Sequence, residues 1–392
     1  MSDLYKPDLR LSCVDNIALI VLDTLRWDYS GYFDWLADLG FKKYEAWTTA
    51  PWTLPAHVSM FTGLYPSEHG VHEPGKWIGW NWLSLVREKS AMFMRKMRGG
   101  ALGYLKDLGY KTVGLSANPY INSYFGFEFD EFHDISIGYL NKGIKLNEEE
   151  VKAIKEIFEE GATVKTVLKA FVRNGPISSV KLLAKSIELL TLGIPREKGA
   201  KLASRIVEAL ADDGPLFLFI NLMEAHEPYT ATDWARSGRA YIRALIYGGA
   251  PPGIVRTWRK HYPRQVSYLS KILRNIVSFL KDFSIIIVSD HGQMLGEHGA
   301  LGHGYWLYDE VIKVPLWVRA RGRPKLREPV SLATVYSMLL NIADRLELDQ
   351  RQPVAESFGP LITPAQRQFV NSLDKLINLY GYRSREGEWR SP

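Results

Sequence analysis

The stretch NIALIVLD, residues 16–23, is a short apolar run that ends in a carboxylate. Three further runs share its character: KTVGLSA (111–117), PLFLFINLM (215–223) and FSIIIVSD (283–290). Each is rich in β-branched or aromatic residues and is bounded by polar or turn residues, which predicts a buried strand. Helix-like stretches separate the four runs. This alternation predicts an α/β fold built on a parallel or mixed sheet.

The composition is that of a folded globular protein, since 46% of the 392 residues are hydrophobic and 23% are charged. A single cysteine, Cys13, excludes an internal disulfide and a zinc site built from cysteines. The sequence has no apolar run of about 18 residues and no hydrophobic signal core at its start, so we expect a soluble, cytoplasmic protein. The net charge of +6 fits an anionic substrate. No P-loop, GxGxxG turn or nucleic-acid-binding module is found, so no nucleic-acid partner is expected.

Residues 147–213 differ from the strand-bearing regions, because they are rich in Lys, Glu, Leu, Ala and Ile. Their apolar residues recur at helical spacing, which predicts two or three amphipathic helices inserted between strands. These helices would either pack on the sheet or form a small cap. Acidic residues are interspersed among the basic ones between Lys165 and Lys201, so contact with a membrane surface is not expected.

Two of the predicted strands end in side chains that bind metals: Asp23 follows the first strand, and Asp290 and His291 follow the last. In open α/β sheets, ligands bind beyond the carboxyl ends of the strands. Carboxylates and an imidazole suit Zn, Mn, Mg or Ca. Each pattern alone is also typical of a helix cap or a turn, so the prediction of a divalent-cation site rests on the combination.

The segment APWTLPAHVSMFTGLYPSEHG, residues 50–70, places Thr53 just before Pro55 and an apolar-periodic stretch. Proline favours the first turn of a helix, so Thr53 is expected at or near a helix N-cap. Thr53 would then serve only as a cap, or its hydroxyl would also point, with the helix dipole, at an anion beside a metal. A hydroxyl next to a divalent cation loses its proton more easily and can attack phosphorus or sulfur.

The order of seven motifs along the chain resembles the sulfatase-like branch of the alkaline phosphatase superfamily. The motifs are LDTLRWD, TTAPWTLPAHVSMFTGLYPSEHG, GYKTVGLSANPY, FGFEFDEF, FLFINLMEAHEPY, IIIVSDHGQMLGEHG and HGYWLYDEVIKVPLWVRARG. The resemblance implies a mixed, mostly parallel sheet sandwiched by helices, in a catalytic domain over residues 1–322 that contains the helical insertion at 147–213. It also implies a small C-terminal subdomain and tail over residues 323–392.

The resemblance also implies roles for individual residues. Asp23, Asp290 and His291 match metal-binding positions of the family, whereas Thr24 stands where many members carry a second Asp. Thr53 falls on the nucleophile position and would also contact the metal. Sulfatases carry Cys or Ser there, in a Cys-x-Pro-x-Arg motif that is converted to formylglycine. Threonine cannot be converted by that route, and it is the nucleophile in similar lipoteichoic acid synthases, phosphoethanolamine transferases and nucleotide phosphodiesterases.

Other polar residues of the motifs are further candidates. His226 matches the family histidine that contacts the oxyanion or the leaving group, and His303 matches a basic position after the Asp–His pair. Each would act as a general acid or an oxyanion stabiliser, or would be an ordinary surface-loop histidine. His57 and Asn118 are candidates for substrate binding, Asn118 as a donor to a substrate oxygen. Glu224 is a candidate for supporting a ligand.

Together these residues predict a metal-dependent hydrolase or transferase that acts on phosphodiesters or phosphomonoesters through a Thr nucleophile. The alternatives are a sulfuric ester hydrolase of the same fold and a non-catalytic binding module. One divalent cation is predicted, because Leu222, four residues before His226, cannot supply the second-site ligand of two-metal relatives. The substrate would be a small anionic ester. Trp77, Trp80 and Trp82 either pack against the insertion or hold an apolar, aryl or lipid leaving group.

Overall fold

Eight strands form one sheet in the computed structural model of the chain, and further strands form two smaller sheets. In chain order the strands are β1 (Ile17–Leu22), β2 (Lys42–Trp47), β3 (Lys111–Ser116), β4 (Glu131–Asp134), β5 (Leu216–Leu222), β6 (Ser284–Val288), β7 (Met294–Leu295), β8 (Leu301–Gly302), β9 (Lys313–Arg319), β10 (Val330–Ser331), β11 (Val354–Ser357), β12 (Gly381–Ser384) and β13 (Trp389–Arg390). The large sheet has the order β10-β2-β9-β6-β1-β5-β3-β4. Strands β7 and β8 pair with each other, and β11, β12 and β13 form the third sheet.

The structure describes residues 15–73, 82–136, 149–150, 153, 178, 180–185, 197–210, 214–229, 234–321, 324–359, 381–384 and 389–390. Most of the predicted insertion at 147–213 lies outside these ranges. Trp77, Trp80 and the side chain of Trp82 also lie outside the described part of the chain, so the predicted roles of these three residues stay predictions.

Strand β1 lies inside the sheet and is buried on both faces. All six of its residues lack exposed surface. Alternate residues from Ile17 belong to one hydrophobic core, and alternate residues from Ala18 belong to the other. Strands β5 and β6 pair with β1 in parallel, with Phe217 and Ser284 opposite Ile17. A strand that is covered on both faces has no need of polar positions, which explains why residues 16–23 form a continuous apolar run.

Helices supply the cover on both faces. Among the described residues, the α-helices with defined bounds are, in chain order, α1 (Thr53–Thr62), α2 (Pro66–His69), α3 (Trp82–Lys96), α4 (Ala101–Asp107), α5 (Ala200–Ala209), α6 (Trp234–Tyr247), α7 (Pro252–Phe279), α8 (Asp309–Ile312) and α9 (Thr334–Asp344). Helices α1, α3, α4 and α9 contribute to one core. The 3₁₀ helix Trp27–Leu39 and helices α5, α6 and α7 contribute to the other core. The predicted mixed, mostly parallel sheet sandwiched by helices is therefore confirmed.

All four predicted strands are present, as β1, β3, β5 and β6, but the apolar runs do not predict β2 or β9. Strand β9 lies between β6 and β2 and is antiparallel to both, which makes the sheet mixed. It contains Pro315, and a proline usually argues against an interior strand because it has no N–H to donate. Pro315 still accepts a hydrogen bond, since its carbonyl lies 3.2 Å from the Ser289 amide nitrogen.

The chain beyond residue 322 first contributes to the large sheet. Strand β10 pairs in parallel with β2, and the buried face of α9 joins the core that contains α1. Strand β12 then pairs antiparallel with both β11 and β13. The domain boundary predicted at residue 322 stays a prediction. Within the ranges that the structure describes, no helix combines the length and apolar character needed to cross a bilayer.

Candidate metal centre and active site

The carboxyl ends of β1 and β6 bring the predicted metal ligands together. The two strands are parallel neighbours with Val21 opposite Val288, so the residues two positions further on, Asp23 and Asp290, meet at one edge of the sheet. His291 Nε2 lies 3.4 Å from Asp290 Oδ2 and 4.0 Å from Asp23 Oδ1. One ligand atom from each of the three residues falls within 4.8 Å of the others.

The chemistry of these three side chains fits a divalent cation. Asp23 Oδ1 and Asp290 Oδ2 are buried and have no hydrogen-bond partner among the described residues. Buried carboxylate oxygens normally accept hydrogen bonds or bind metals, so this pair calls for a positive charge. His291 Nδ1 donates to the Gly292 carbonyl at 3.0 Å. The Nε2 lone pair of His291 therefore faces the two carboxylates, as in a metal-ligating histidine whose other nitrogen is tied to a carbonyl.

Electrostatics lead to the same conclusion. Burial, reinforced by the neighbouring Asp290 carboxylate, raises the pKa of Asp23 to about 6. Burial likewise raises the pKa of Asp290 to about 7, although the Thr24 and His291 amides donate to this carboxylate and oppose the shift. Two carboxyls that share a dry site resist ionising together. A bound cation would attract both negative charges and lower both pKa values, so both groups would be ionised in the metal-loaded protein.

Thr53 lies beside this cluster as the first residue of α1, and the preceding residue, Trp52, is the extended N-cap. The Thr53 hydroxyl oxygen lies 3.4 Å from His291 Nε2. Asn118 Nδ2 donates to that oxygen at 3.3 Å and to Asp23 Oδ2 at 2.8 Å. The structure thus places Asn118 as a bridge between the predicted nucleophile and a predicted metal ligand. The prediction that Asn118 donates to a substrate oxygen is not tested by this contact.

His57 lies one turn behind Thr53 on α1 and is fully buried. Its Nδ1 donates to the Thr53 carbonyl at 2.8 Å, and its ring packs edge-on against Phe219. Burial lowers the pKa of His57 to about 3, so the ring is neutral. The structure therefore places His57 against the backbone of Thr53, the predicted nucleophile, where its hydrogen bond holds the first turn of the helix. Its predicted contact with substrate stays a prediction.

His226 and His303 lie next to the predicted metal ligands and form a second cluster with Glu227. One ligand atom from each of these three residues lies within 4.8 Å of the others. The His303 ring is 4.5 Å from the His291 ring and 4.8 Å from the His226 ring, measured between centroids. Burial lowers the pKa of His303 well below its usual value. The predicted site histidines are thus neighbours in space although 77 positions separate His226 from His303 in the printed sequence.

Sequence reasoning missed Glu227 and Gln293. Gln293 Nε2 donates to Glu227 Oε2 at 2.7 Å, and Gln293 Oε1 accepts from His303 Nδ1 at 2.6 Å. The sequence signals for them are that Glu227 follows His226 directly and that Gln293 lies two residues after His291. Glu224 Oε1 accepts hydrogen bonds from the Lys198 and Ala200 amides at 2.9 and 3.0 Å, at the start of α5. Its predicted support of a ligand stays a prediction.

The carboxylate–imidazole cluster lies beside a helix-borne hydroxyl at the carboxyl ends of a mostly parallel sheet, where open α/β sheets bind their ligands, and its side chains are of the kind that bind divalent cations. The sequence profile of the family described as "Sulfatase" matches residues 15–344. The match covers most of the chain, and the chain therefore belongs to the sulfatase family.

Individual relatives are distant. The uncharacterized sulfatase YidJ of Escherichia coli (strain K12) is 22% identical over an alignment of 351 positions, and the match covers 79% of this chain and 62% of YidJ. The chain thus matches less than two thirds of the length of that relative. Ps i-CgsB, solved in complex with k-i-k-neocarrahexaose, superposes with a TM-score of 0.52 and 17% identity over 88% of this chain and 80% of that chain. The phosphonate monoester hydrolase SpPMH from Silicibacter pomeroyi gives a TM-score of 0.52 and 14% identity, over 86% and 74% of the two chains. At these identities the two structures share the fold with this chain.

The turn after His291 offers a test of how tightly the centre is held. A Cβ atom added at Gly292 would lie 2.1 Å from the Glu310 carbonyl oxygen, so the backbone would have to move. We expect Gly292→Ala to weaken divalent-cation affinity by about 10-fold or more and to lower stability by about 1–3 kcal/mol. Titration calorimetry of the metal-free protein and thermal unfolding measure the two effects. Gly253→Ala is the matched control, since a Cβ there meets nothing within 4 Å. Equal cation affinity in both variants would contradict this view of the turn.

Proposed function

We propose that the chain is a metal-dependent hydrolase or transferase of phosphate esters that uses Thr53 as its nucleophile. The position of the Thr53 hydroxyl supports the proposal most strongly, because this oxygen lies within 3.4 Å of both His291 Nε2 and Asn118 Nδ2. It stands at the N-terminus of the ten-residue helix α1, whose dipole favours a bound anion. A threonine at this position cannot supply the formylglycine that the resemblance assigns to sulfatases.

Asp23, Asp290, His291 and Thr53 would hold one divalent cation, which could be Zn, Mn, Mg or Ca. Enzymes of the sulfatase family generally use such a cation, and the residues present fit one. When bound, the cation stabilises negative charge that develops on the reacting oxygens. Its charge also compensates the burial of the two aspartates.

The protein's own groups can then carry out a double displacement. Thr53 Oγ forms a bond to phosphorus as the bond from phosphorus to the leaving-group oxygen breaks. Asn118 donates to Thr53 Oγ and fixes Asp23, and His57 holds the Thr53 carbonyl from behind. These contacts keep the hydroxyl in one position before substrate arrives. Water or a second alcohol then displaces Thr53 from phosphorus and restores the free hydroxyl.

His226 and His303 would serve the proton transfers or bind the equatorial oxygens. His226 Nδ1 donates to the Glu227 carbonyl and His303 Nδ1 donates to Gln293 Oε1, both at 2.6 Å. In each ring the hydrogen bond to the protein is therefore made by Nδ1 and not by Nε2. A ring held in this way can take a proton at Nε2 from an attacking hydroxyl and return it to a leaving group without losing its anchor.

One cation, rather than two, is favoured by the difference between the two clusters. Asp23 and Asp290 each keep an oxygen that lacks a partner among the described residues, so the first cluster needs a cation. In the second cluster Glu227 Oε2 already accepts from Gln293 and lies 3.5 Å from His226 Nδ1. That carboxylate is satisfied within the protein.

The substrate class follows from the same reasoning. A small anionic ester suits the cation, the helix N-terminus and the net charge of +6. An apolar, aryl or lipid leaving group remains part of the proposal and depends on Trp77, Trp80 and Trp82. We propose no nucleic-acid partner and no membrane partner. We propose a cytoplasmic location.

We expect the purified protein to bind one equivalent of divalent cation per chain. Asp290→Asn should abolish most of this binding, because it removes a charged ligand. A cation at about 100 times its Kd stabilises a folded protein by about 2.7 kcal/mol, and the variant should lose this gain. Without metal the variant should be no less stable than the native protein, since a buried carboxyl has been replaced by a neutral amide. Elemental analysis and thermal unfolding, each with and without chelator, measure these effects.

His303→Ala serves as the control for that experiment and should retain one equivalent of cation. Equal metal content in the Asp290→Asn variant and the native protein would show that the cation lies elsewhere. Two equivalents in the native protein, falling to one in His303→Ala, would contradict the single-cation proposal.

The Thr53 hydroxyl is tested with a panel of aryl phosphate monoesters, phosphate diesters and sulfate esters. We expect the best phosphate ester to be turned over faster than the best sulfate ester. Thr53→Ala should lower the phosphate-ester rate by about 1,000-fold or more, as loss of a nucleophile does in other hydrolases. Thr53→Ser should keep part of the rate, because it retains a hydroxyl.

Thr62→Ala is the matched control for Thr53→Ala. Thr62 lies in the same helix and is also buried, but its hydroxyl donates to the Val58 carbonyl at 2.7 Å. This variant should keep most of the activity. A sulfate-ester rate that equals the best phosphate-ester rate and survives Thr53→Ala would favour the alternative of a sulfatase. Absence of turnover on every ester would favour a binding module.

A further inference from the structure

We infer that Tyr262 is a positioning residue for the metal centre: it holds the strained turn after β1 in the conformation that orients the Asp290 carboxylate. The inference rests on the metal centre proposed above. Tyr262 lies on α7, on the face of the sheet opposite the predicted nucleophile, and no sequence motif points to it.

The strain lies at Thr24, which follows Asp23. Its backbone has φ of 62°, in the left-handed region, and Thr24 is fully buried. A β-branched residue adopts this conformation only when its surroundings force it to, because the side chain clashes with the backbone. Such strain therefore indicates that other contacts determine the shape of this turn.

The Tyr262 hydroxyl provides two of these contacts. It accepts a hydrogen bond from the Arg26 amide at 3.0 Å and donates one to the Thr24 carbonyl at 2.8 Å. The side chain has no exposed surface, and its ring packs edge-on against Tyr29 and Tyr229. Because the hydroxyl is buried, water cannot readily replace it if it is removed. The Arg26 amide and the Thr24 carbonyl therefore depend on Tyr262 for these two hydrogen bonds.

The conformation of this turn also determines which oxygen of the Asp290 carboxylate is directed at the proposed cation. With its backbone in this conformation, the Thr24 amide donates to Asp290 Oδ1 at 3.2 Å, and the His291 amide donates to the same oxygen at 2.9 Å. The other oxygen, Oδ2, is left toward Asp23 and His291. If the turn relaxes to an ordinary conformation, the Thr24 amide points elsewhere and the carboxylate is free to rotate. Groups that orient metal ligands in this way typically contribute 10- to 100-fold to metal affinity.

The test is Tyr262→Phe, which removes the hydroxyl and keeps the ring. Mn²⁺, Zn²⁺, Mg²⁺ and Ca²⁺ are titrated separately into the metal-free protein, and Kd is measured by calorimetry. We expect Kd for the preferred cation to rise by about 10- to 100-fold. Tyr110→Phe is the matched control, because the Tyr110 hydroxyl is also buried and donates to the Asp15 carbonyl, at the opposite end of β1, at 3.0 Å. It should lower the unfolding temperature but leave Kd unchanged.

A second substitution separates positioning from general loss of stability. Glycine adopts positive φ without strain, so Thr24→Gly added to Tyr262→Phe should restore most of the lost cation affinity even though it adds no contact. A Kd for Tyr262→Phe equal to that of the Tyr110→Phe control, or failure of Thr24→Gly to restore a lowered affinity, would overturn the inference. Failure of the native protein to bind any of the four cations would overturn the metal centre itself.

Discussion

Two buried carboxylates, Asp23 and Asp290, lie side by side at the ends of adjacent parallel strands, and each has an oxygen with no hydrogen-bond partner among the described residues. Burying two like charges costs free energy. The neighbouring groups hold the two carboxylates close together instead of separating them. The Thr24 and His291 amides hold Asp290, and Asn118 holds Asp23. A divalent cation held between the two carboxylates, as proposed above, would compensate their negative charge.

Most of the fold and the members of this cluster could be predicted from the sequence. Runs such as 16–23 and 283–290 are apolar because their strands are covered on both faces, and each ends in a side chain with ligand chemistry. Strand β9 could not be predicted in this way. It contains Pro315, and it is stabilised by pairing with β2 and β6, two strands that are distant from it in sequence. Pairing of this kind depends on tertiary context, which no local pattern records.

The finer geometry of the site lay beyond sequence reasoning for a similar reason. The motif around Thr53 shows that His57 is near the proposed nucleophile in sequence, but not that the His57 ring is fully buried and hydrogen-bonded to the Thr53 carbonyl. The hydrogen bonds that set which nitrogen of His303 faces the site come from Gln293, and those that hold the turn after β1 come from Tyr262 on another helix. Such partners meet only after the sheet and both helical layers have assembled. The family match identifies the fold, whereas the proposed preference for phosphate esters rests on the Thr53 hydroxyl.

Covalent participation of Thr53 is tested most directly by the stereochemical course at phosphorus. A phosphate ester made chiral at phosphorus with sulfur and oxygen isotopes is turned over by the metal-loaded protein, and the configuration of the product is determined. Two successive in-line displacements, the first by Thr53 and the second by water or an alcohol, each invert the centre, so net retention of configuration is predicted. Net inversion would mean that water or the alcohol attacks phosphorus directly, and it would contradict a role for Thr53 as the nucleophile.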